Sequence, residues 1–454
     1  MHGLTTFLED CRMQDIKDIS VMENIKDIEN YINNIPRFTK KHSMEDTRKF
    51  MEALKIDTGK MKIIHVAGTN GKGTVCAVLS SVLDHCKKKV GLFVSPHLIK
   101  INERIKINGK DVSDEEFIKA YKEVIKVTNE LKECGNPTFF EFVFLMAMWI
   151  FTKNKVEYLV LETGMGGRLD ATNAVKNKYL TVITPIGLDH MEYLGNTIYE
   201  IAGEKAGIIR NGVKNIFWDD EKDSADVILD KCDKIGSEAV SVNDKDYKII
   251  KKSMAGVDFS MCNGYYKNWT FRTSFTAKYQ IDDTVLALKT IENIEDIRSL
   301  ESEIKAGIES VSWPGRMQMI LPGVILDGAH NGQGIDAITR EFEQMQCDGR
   351  KMLLFSVVKD KDYDYMVKRL SMVNPDKVYI TRLDSGRGLD TDKIYSDFKK
   401  YQCKSQIEVI PDVSCALEKA LKDKKEEDVL FCTGSLYLVG EVKKLIECKS
   451  IENK

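Results

Sequence analysis

A chain of 454 residues is too long for one hydrophobic core and, at roughly 150 residues per domain, divides into two or three. Apolar residues at 43% and charged residues at 30% describe an ordered chain with a soluble surface, and a net charge of −3 without a basic, aromatic-interleaved stripe excludes nucleic acid as the main partner. Eleven cysteines without CxxC spacing, and an opening Met1-His2-Gly3-Leu4 without a cationic then apolar leader, point to reduced thiols in the cytoplasm rather than disulfides or zinc.

In chain order, residues 63–67, 90–94, 156–161 and 180–184 are short, β-branched runs bounded by Gly, Pro or Asn and separated by helical stretches. That alternation predicts a parallel sheet with crossover helices. The longest apolar run, 142–151, is about half of what spans a bilayer; it predicts a buried helix, and no membrane partner is expected. Between about 240 and 280 the pattern turns to alternation, as in Trp269-Thr270-Phe271-Arg272-Thr273 beyond Cys262-Asn263-Gly264, which predicts an antiparallel hairpin appended to the sheet. After Trp313-Pro314-Gly315-Arg316 the strand and helix alternation restarts, with strands at 324–326, 352–357, 377–381, 407–410 and 429–432. The expected division is 1–312 and 313–454, the second a smaller Rossmann-like α/β domain. Pro314-Gly315 is the expected hinge, with the ligand in the cleft between the domains. The charged run 422–428 reads as a solvated helix end.

The strongest chemical signal is Gly68-Thr69-Asn70-Gly71-Lys72-Gly73-Thr74, between the strand 63–67 and a helical run beginning near Val75. A strand, a glycine loop and a helix N-terminus aim N–H groups and a partial positive charge at phosphates, and Lys72 can reach the β/γ oxygens. Triphosphate binding by a P-loop-type domain follows. The loop is not the standard form, because Thr69 and Asn70 alone separate Gly68 from Gly71, and Gly73 parts Lys72 from Thr74. Glu162 closes the strand 156–161 at the carboxyl edge of the sheet, where ligands bind, and a carboxylate near a phosphate loop is a natural Mg²⁺ ligand. The stretch 164–173 is too long and polar for a tight turn, and Gly164, Gly166 and Gly167 let its backbone approach a ligand. Taken alone, Lys205 in its helix is a solvated charge, and His190 and His330 are structural.

Further motifs run in order along nearly the whole chain: Ser95-Pro96-His97-Leu98, Asn102-Glu103-Arg104-Ile105, Thr138-Phe139-Phe140-Glu141, Glu162-Thr163-Gly164-Met165-Gly166-Gly167-Arg168-Leu169-Asp170-Ala171-Thr172-Asn173, Asp189-His190 and Glu204-Lys205-Ala206-Gly207. Trp313-Pro314-Gly315-Arg316, Leu326-Asp327-Gly328-Ala329-His330-Asn331, Lys359-Asp360-Lys361-Asp362 and Thr433-Gly434-Ser435-Leu436-Tyr437 complete the set. With the glycine after the loop lysine, the chain resembles the folylpolyglutamate synthase and dihydrofolate synthase branch of the Mur ligase superfamily.

The resemblance implies an ATP- and Mg²⁺-dependent ligase that adds L-glutamate to a folate, and also to dihydropteroate, through an acyl phosphate. It leaves open which acceptor is used. Lys72, Glu162, His190, Lys205 and His330 are then catalytic, with Lys205 carbamylated, and Ser95, Glu162 and His190 bind metal. The loop 68–74 with Asp283, Arg316 and Asp327 binds ATP, while Phe139, Phe140, Leu169 and Asp170 hold the pterin or aminobenzoyl portion. A cytoplasmic monomer is expected.

Two departures stand out. Tyr279-Gln280-Ile281-Asp282-Asp283 occupies the place of the family's His-Gln-x-x-Asn, whose asparagine contacts the nucleotide base; an ionised Asp283 offers only acceptors, to which adenine's amine can still donate. Residues 382–389 lack the family's proline-arginine-alanine run, leaving Arg387 as a stand-in at the amino-acid site. Three alternatives compete. A peptidoglycan-precursor ligase is opposed by Gly73 and the 164–173 loop. A P-loop ATPase with Glu162 activating water leaves 327–331 and the second domain unused, and a noncatalytic nucleotide scaffold requires the Asp283 change to reflect decay.

Overall fold

The alternation of apolar runs and helices becomes two α/β units in the computed structural model, which describes residues 24–36, 43–383 and 386–452. Met1-His2-Gly3-Leu4 and Cys11 lie outside the described residues. In the first unit the strands are β1 (Lys62–Ala67), β2 (Val90–Phe93), β3 (Ile105–Ile107), β4 (Lys110–Asp111), β5 (Tyr158–Glu162), β6 (Leu180–Ile183), β7 (Asn215–Trp218) and β8 (Ala239–Val242). They form one sheet in the order β4-β3-β2-β5-β1-β6-β7-β8, parallel from β2 to β8, with β3 and β4 antiparallel at one edge.

The helices in this unit are α1 (Ile25–Asn34), α2 (Met44–Ala53), α3 (Lys72–His85), α4 (Asp114–Glu130), α5 (Phe139–Asn154), α6 (Met191–Leu194), α7 (Ile198–Ala206), α8 (Lys222–Ile235), α9 (Lys278–Ile291) and α10 (Glu301–Glu309). Strands β1, β2 and β5 are almost wholly apolar because both faces are covered. One face packs on α3, α9 and α10, the other on α1, α2, α4 and α5. The predicted buried helix is α5, opened by a capping box in which Thr138 and Glu141 satisfy each other's backbone N–H groups.

The expected hairpin is instead a separate three-stranded sheet of β9 (Tyr247–Ser253), β10 (Gly256–Met261) and β11 (Thr270–Thr273). It shares the α3 core through Val257, Phe259 and Phe271 but pairs with no strand of the large sheet. Strand β9 carries no apolar alternation because all but Tyr247 face solvent, which hid it in the sequence.

The second unit comprises β12 (Gln318–Leu321), β13 (Val324–Leu326), α11 (Gly332–Gln344), β14 (Lys351–Phe355), α12 (Tyr363–Met372), β15 (Lys377–Ile380), α13 (Thr391–Lys400), β16 (Gln406–Val409), α14 (Val413–Asp423), β17 (Val429–Thr433) and α15 (Leu436–Glu452). Its sheet runs β12-β13-β17-β14-β15-β16, with only β12 antiparallel, and apolar clusters line both faces. The charged run 422–428 is not merely solvated: Asp423 takes Lys377 at 2.6 Å, and buried Asp428 takes Arg350 at 2.7 Å. Leu98, in the loop after β2, packs against the second unit's core and lies so close to Gly440 of α15 that a Cβ there would meet its carbonyl oxygen. No helix among the described residues is long and apolar enough to cross a membrane.

Helices α3 and α10 touch where Gly307 faces Val82, and a Cβ on Gly307 would lie 2.6 Å from the Val82 Cα. Gly307→Ala therefore forces the helices apart, and urea unfolding should show a loss of about 1–3 kcal/mol. An unchanged midpoint would contradict this packing.

Candidate active site

Strand β1 ends at Ala67 and α3 begins at Lys72, so the glycine loop occupies the carboxyl edge of the sheet as expected. Gly71 is the N-cap of α3, in a left-handed conformation (φ 85°) with no side-chain cap, leaving the first-turn N–H groups available to an anion. A Cβ on Gly71 would sit 2.1 Å from the Asp283 Oδ1, and one on Gly73 would sit 2.8 Å from the Trp313 Nε1. The unusual glycine after the loop lysine is thus required by the tryptophan that precedes the second unit. Thr184 donates to the Asn70 carbonyl at 2.6 Å, and Thr69 exchanges hydrogen bonds with Gly187, fixing the loop to the end of β6.

Two ammonium groups converge here. Lys72 Nζ donates to the Gly68 and Thr69 carbonyls at 3.0 Å each, and Lys205 Nζ donates to the same Gly68 carbonyl at 2.7 Å. Lys205, on α7, is 3% exposed and not the solvated charge its helical setting alone suggests. Burial pulls its amine down to about 7, with Lys72 adding to the effect against Asp189 and Asp170.

Glu162, 3% exposed at the end of β5, accepts from the Ser95 N–H at 3.1 Å. Burial pushes its carboxyl up to about 7 despite Lys72, the Ser95 N–H, Arg316 and Arg104. The Ser95 N–H thus holds the Glu162 carboxylate beside the loop, and a carboxylate oxygen there is of the kind Mg²⁺ takes. His190 stands at the N-terminus of α6 without a side-chain cap and makes no hydrogen bond to Glu162 among the described residues; desolvation holds its ring below the usual range against Asp189, with Lys361, Lys72 and Lys205 adding to the lowering. Nor do the described residues hold a cluster of three or more His, Cys, Asp or Glu able to bind a metal unaided.

The second unit closes over this edge. Lys361 Nζ bonds Asp189 Oδ1 at 2.8 Å, Asn331 Nδ2 donates to Asp189 Oδ2 at 3.0 Å and to Asn70 Oδ1 at 3.1 Å, and Asn70 Nδ2 donates to Gln333 Oε1 at 2.7 Å. Burial would raise the Asp189 carboxyl, but Lys361, His190 and His330 hold it well below the usual range. His330 donates from Nδ1 to the Gly328 carbonyl at 2.7 Å, and burial, with Lys361 and Arg316, pulls it down to about 4. It is neutral at pH 7, and Nε2, without a partner among the described residues, is left as an acceptor. Lys361 and Gln333 were not singled out from the sequence; Lys361 lies in the quoted Lys359-Asp360-Lys361-Asp362 motif, but only the fold brings it to Asp189.

The Mur ligase middle domain model matches residues 66–291 and the Mur ligase glutamate ligase domain model residues 315–436. A dihydrofolate synthase/folylpolyglutamate synthase of Bacillus subtilis is 33% identical over 435 residues, covering 93% of this chain and 99% of that protein. The chain belongs to the folylpolyglutamate synthase/dihydrofolate synthase family. Escherichia coli FolC in complex with DHPP and ADP matches with a TM-score of 0.81 at 26% identity, over 94% of this chain and 98% of that one. A bifunctional folylpolyglutamate synthase/dihydrofolate synthase with Mn, AMPPNP and L-glutamate bound matches at 0.80 and 27%, over 94% and 98%.

Several residues that the family resemblance assigns to ligands are already engaged within the chain. Both oxygens of Asp170 are taken by the loop itself: Oδ2 accepts from the Gly164 and Met165 N–H groups at 2.9 Å, and Oδ1 from the N–H and hydroxyl of Thr172. Asp170 therefore shapes the loop, while Leu169 beside it is 45% exposed. Phe139 is a core residue under the Arg104 guanidinium, whereas half-buried Phe140 lies against Gly164 at the loop's start. Asp327 accepts from the Met317 and Ala329 N–H groups and from the hydroxyl of Tyr279, the residue that replaces the family histidine. Its carboxylate thus ties the interdomain segment to α9, and Gln280 adds a bond to the Arg316 carbonyl. Arg387 donates to the Tyr437 hydroxyl at 3.0 Å.

The Glu162 carboxyl makes a pH test possible. Because its pKa is raised on folding, its contribution to stability is full below about 4.5 and is lost as pH rises to about 7. Glu162→Gln, free of nucleotide and metal, should be more stable than the parent above pH 7 by on the order of 3 kcal/mol, with the difference vanishing toward acid. Melting curves that coincide at both ends of the pH range would contradict the assigned burial.

Proposed function

We propose that this chain joins L-glutamate to a folate carboxylate, and to dihydropteroate as well, using ATP to form an acyl phosphate in the cleft between its two units. The observation that carries this reading is the convergence of Lys72, Lys205 and Glu162 on a phosphate loop that Asn331, Gln333 and Lys361 meet from the opposite side. A free carboxylate is a poor acyl donor, so its oxygen first attacks the γ-phosphorus and the bond to ADP breaks. The glutamate amine then attacks the activated carbonyl, phosphate leaves with the carboxylate oxygen, and the nitrogen loses a proton. Lys72 moves from the loop carbonyls to the phosphate oxygens, where the uncapped α3 N–H groups also bind. Ser95 and Glu162, with the neutral ring of His190, would hold the divalent ion, which supplies charge neutralisation to the phosphates. Neutral His330 offers an acceptor nitrogen in the same cleft, and closure of the second unit keeps water from the acyl phosphate.

Lys205 is read as carbamylated. Its amine, held near 7, is unprotonated for part of the population at neutral pH, the form that adds CO₂ with loss of a proton. The product is an anion, which turns the repulsion between the buried Lys205 ammonium and the half-buried Lys72 ammonium into an attraction. We read the enzyme as a monomer, and the free thiols among the described residues suit the cytoplasm.

Phosphate release should require ATP, a folate-type acceptor and glutamate together, and Lys72→Ala should abolish it with an unchanged melting temperature. Release that is indifferent to glutamate would overturn the ligase reading. For Lys205, labelled bicarbonate should give a carbamate carbon signal in the parent that is missing in Lys205→Ala. The alanine variant should lose most activity, and bicarbonate should not restore it. A near-normal rate would remove Lys205 from the machinery.

A further inference from the structure

Asp283 projects from α9 to the phosphate loop, where its carboxyl fills the space that a side chain on Gly71 would need. It is 2% exposed, and its Oδ2 has no hydrogen-bond partner. An ionised carboxylate could not remain so, because an unpaired buried charge has neither solvent nor counter-ion to stabilise it. Among the described residues no Lys or Arg forms an ion pair with it. From its own helix, Asp282 adds negative charge, although that group is paired with Lys278 at 3.0 Å, and the hydroxyl of Tyr279 is given to Asp327. From α3 it faces the Thr74 hydroxyl and the buried Cys76 thiol, and Arg316 acts on it from beyond ion-pair distance.

We propose that Asp283 is a positioning residue held as the neutral carboxylic acid, which packs the phosphate loop without charge and must keep its proton for a nucleotide to bind. The proposal rests on the reading of 68–74 as the nucleotide loop. A triphosphate there brings several negative charges to the helix terminus that Asp283 touches, so a carboxylate at this position would repel the ligand, whereas the acid does not. Burial, with Asp282 adding to it, pushes the group up to about 8 against Thr74 and Arg316. The proton is therefore retained through neutral pH and lost just above it.

The test is calorimetric binding of ADP with magnesium to the full chain from about pH 6 to about pH 10, for the parent, Asp283→Asn and Lys72→Ala. The parent's affinity should fall about tenfold per pH unit once pH passes about 8. Asp283→Asn should lack that descending limb, whatever its affinity at neutral pH. A flat parent profile, or the same limb in both proteins, overturns the proposal. An infrared difference spectrum between ligand-free parent and Asp283→Asn at neutral pH should also contain the carbonyl band of a protonated carboxyl, and its absence overturns the proposal independently. If Lys72→Ala binds ADP as the parent does, the nucleotide reading itself fails. If Lys72→Ala loses ADP while the parent and Asp283→Asn match at every pH, only the Asp283 inference fails.

Discussion

Charge buried around one backbone loop is the constraint from which the rest of the architecture follows. Lys72 and Lys205 share the Gly68 carbonyl, Glu162 lies at the end of the neighbouring strand, and Asp283 presses on Gly71. Lys205, Glu162 and Asp283 are removed from water, and burial displaces these three toward their neutral forms: Lys205 downward, Glu162 and Asp283 upward. Water no longer balances these charges, and the ligands must. A triphosphate would bring counter-charge to Lys72 and Lys205, and a divalent ion would do the same for Glu162.

The parallel sheet makes this arrangement affordable. Its carboxyl edge delivers Ala67, Glu162 and the segment after Ile183 to neighbouring positions because β5, β1 and β6 are adjacent in the order. The second unit completes the site through side chains that bond directly to the first: Lys361 on Asp189, Asn331 on Asp189 and Asn70, Gln333 on Asn70. Leu98 packs into the second unit's core and anchors the same side of the cleft. The groups that bridge the cleft are those that surround the phosphate loop.

Local features were legible in the sequence, and assembled ones were not. The loop 68–74, Glu162 at a strand end and the helix containing 142–151 are each specified by a few consecutive residues. Strands β9 and β12 escaped notice because β9 faces solvent and β12 is short and half-buried. Lys205 looks like any helical lysine, since its burial depends on where α7 meets the loop after β1. Lys361 and Asp189 are 172 positions apart, and only the docking of two units joins them. Asp170 and Asp327 are expected at ligands because they sit in ligand-loop motifs; the structure adds that both carboxylates satisfy backbone N–H groups of these glycine-containing turns. Such a role is set by the backbone path, which a motif does not state.

The central claim is that the acceptor's carboxylate is phosphorylated in the cleft before the amine attacks. Incubating the enzyme with ATP, glutamate and a folate-type acceptor whose carboxylate carries oxygen-18 tests it directly, with mass analysis of the inorganic phosphate released. Acyl phosphate formation predicts one labelled oxygen transferred to each phosphate, because the carboxylate oxygen that attacks phosphorus departs with it. Unlabelled phosphate accompanying ligated product would contradict the account.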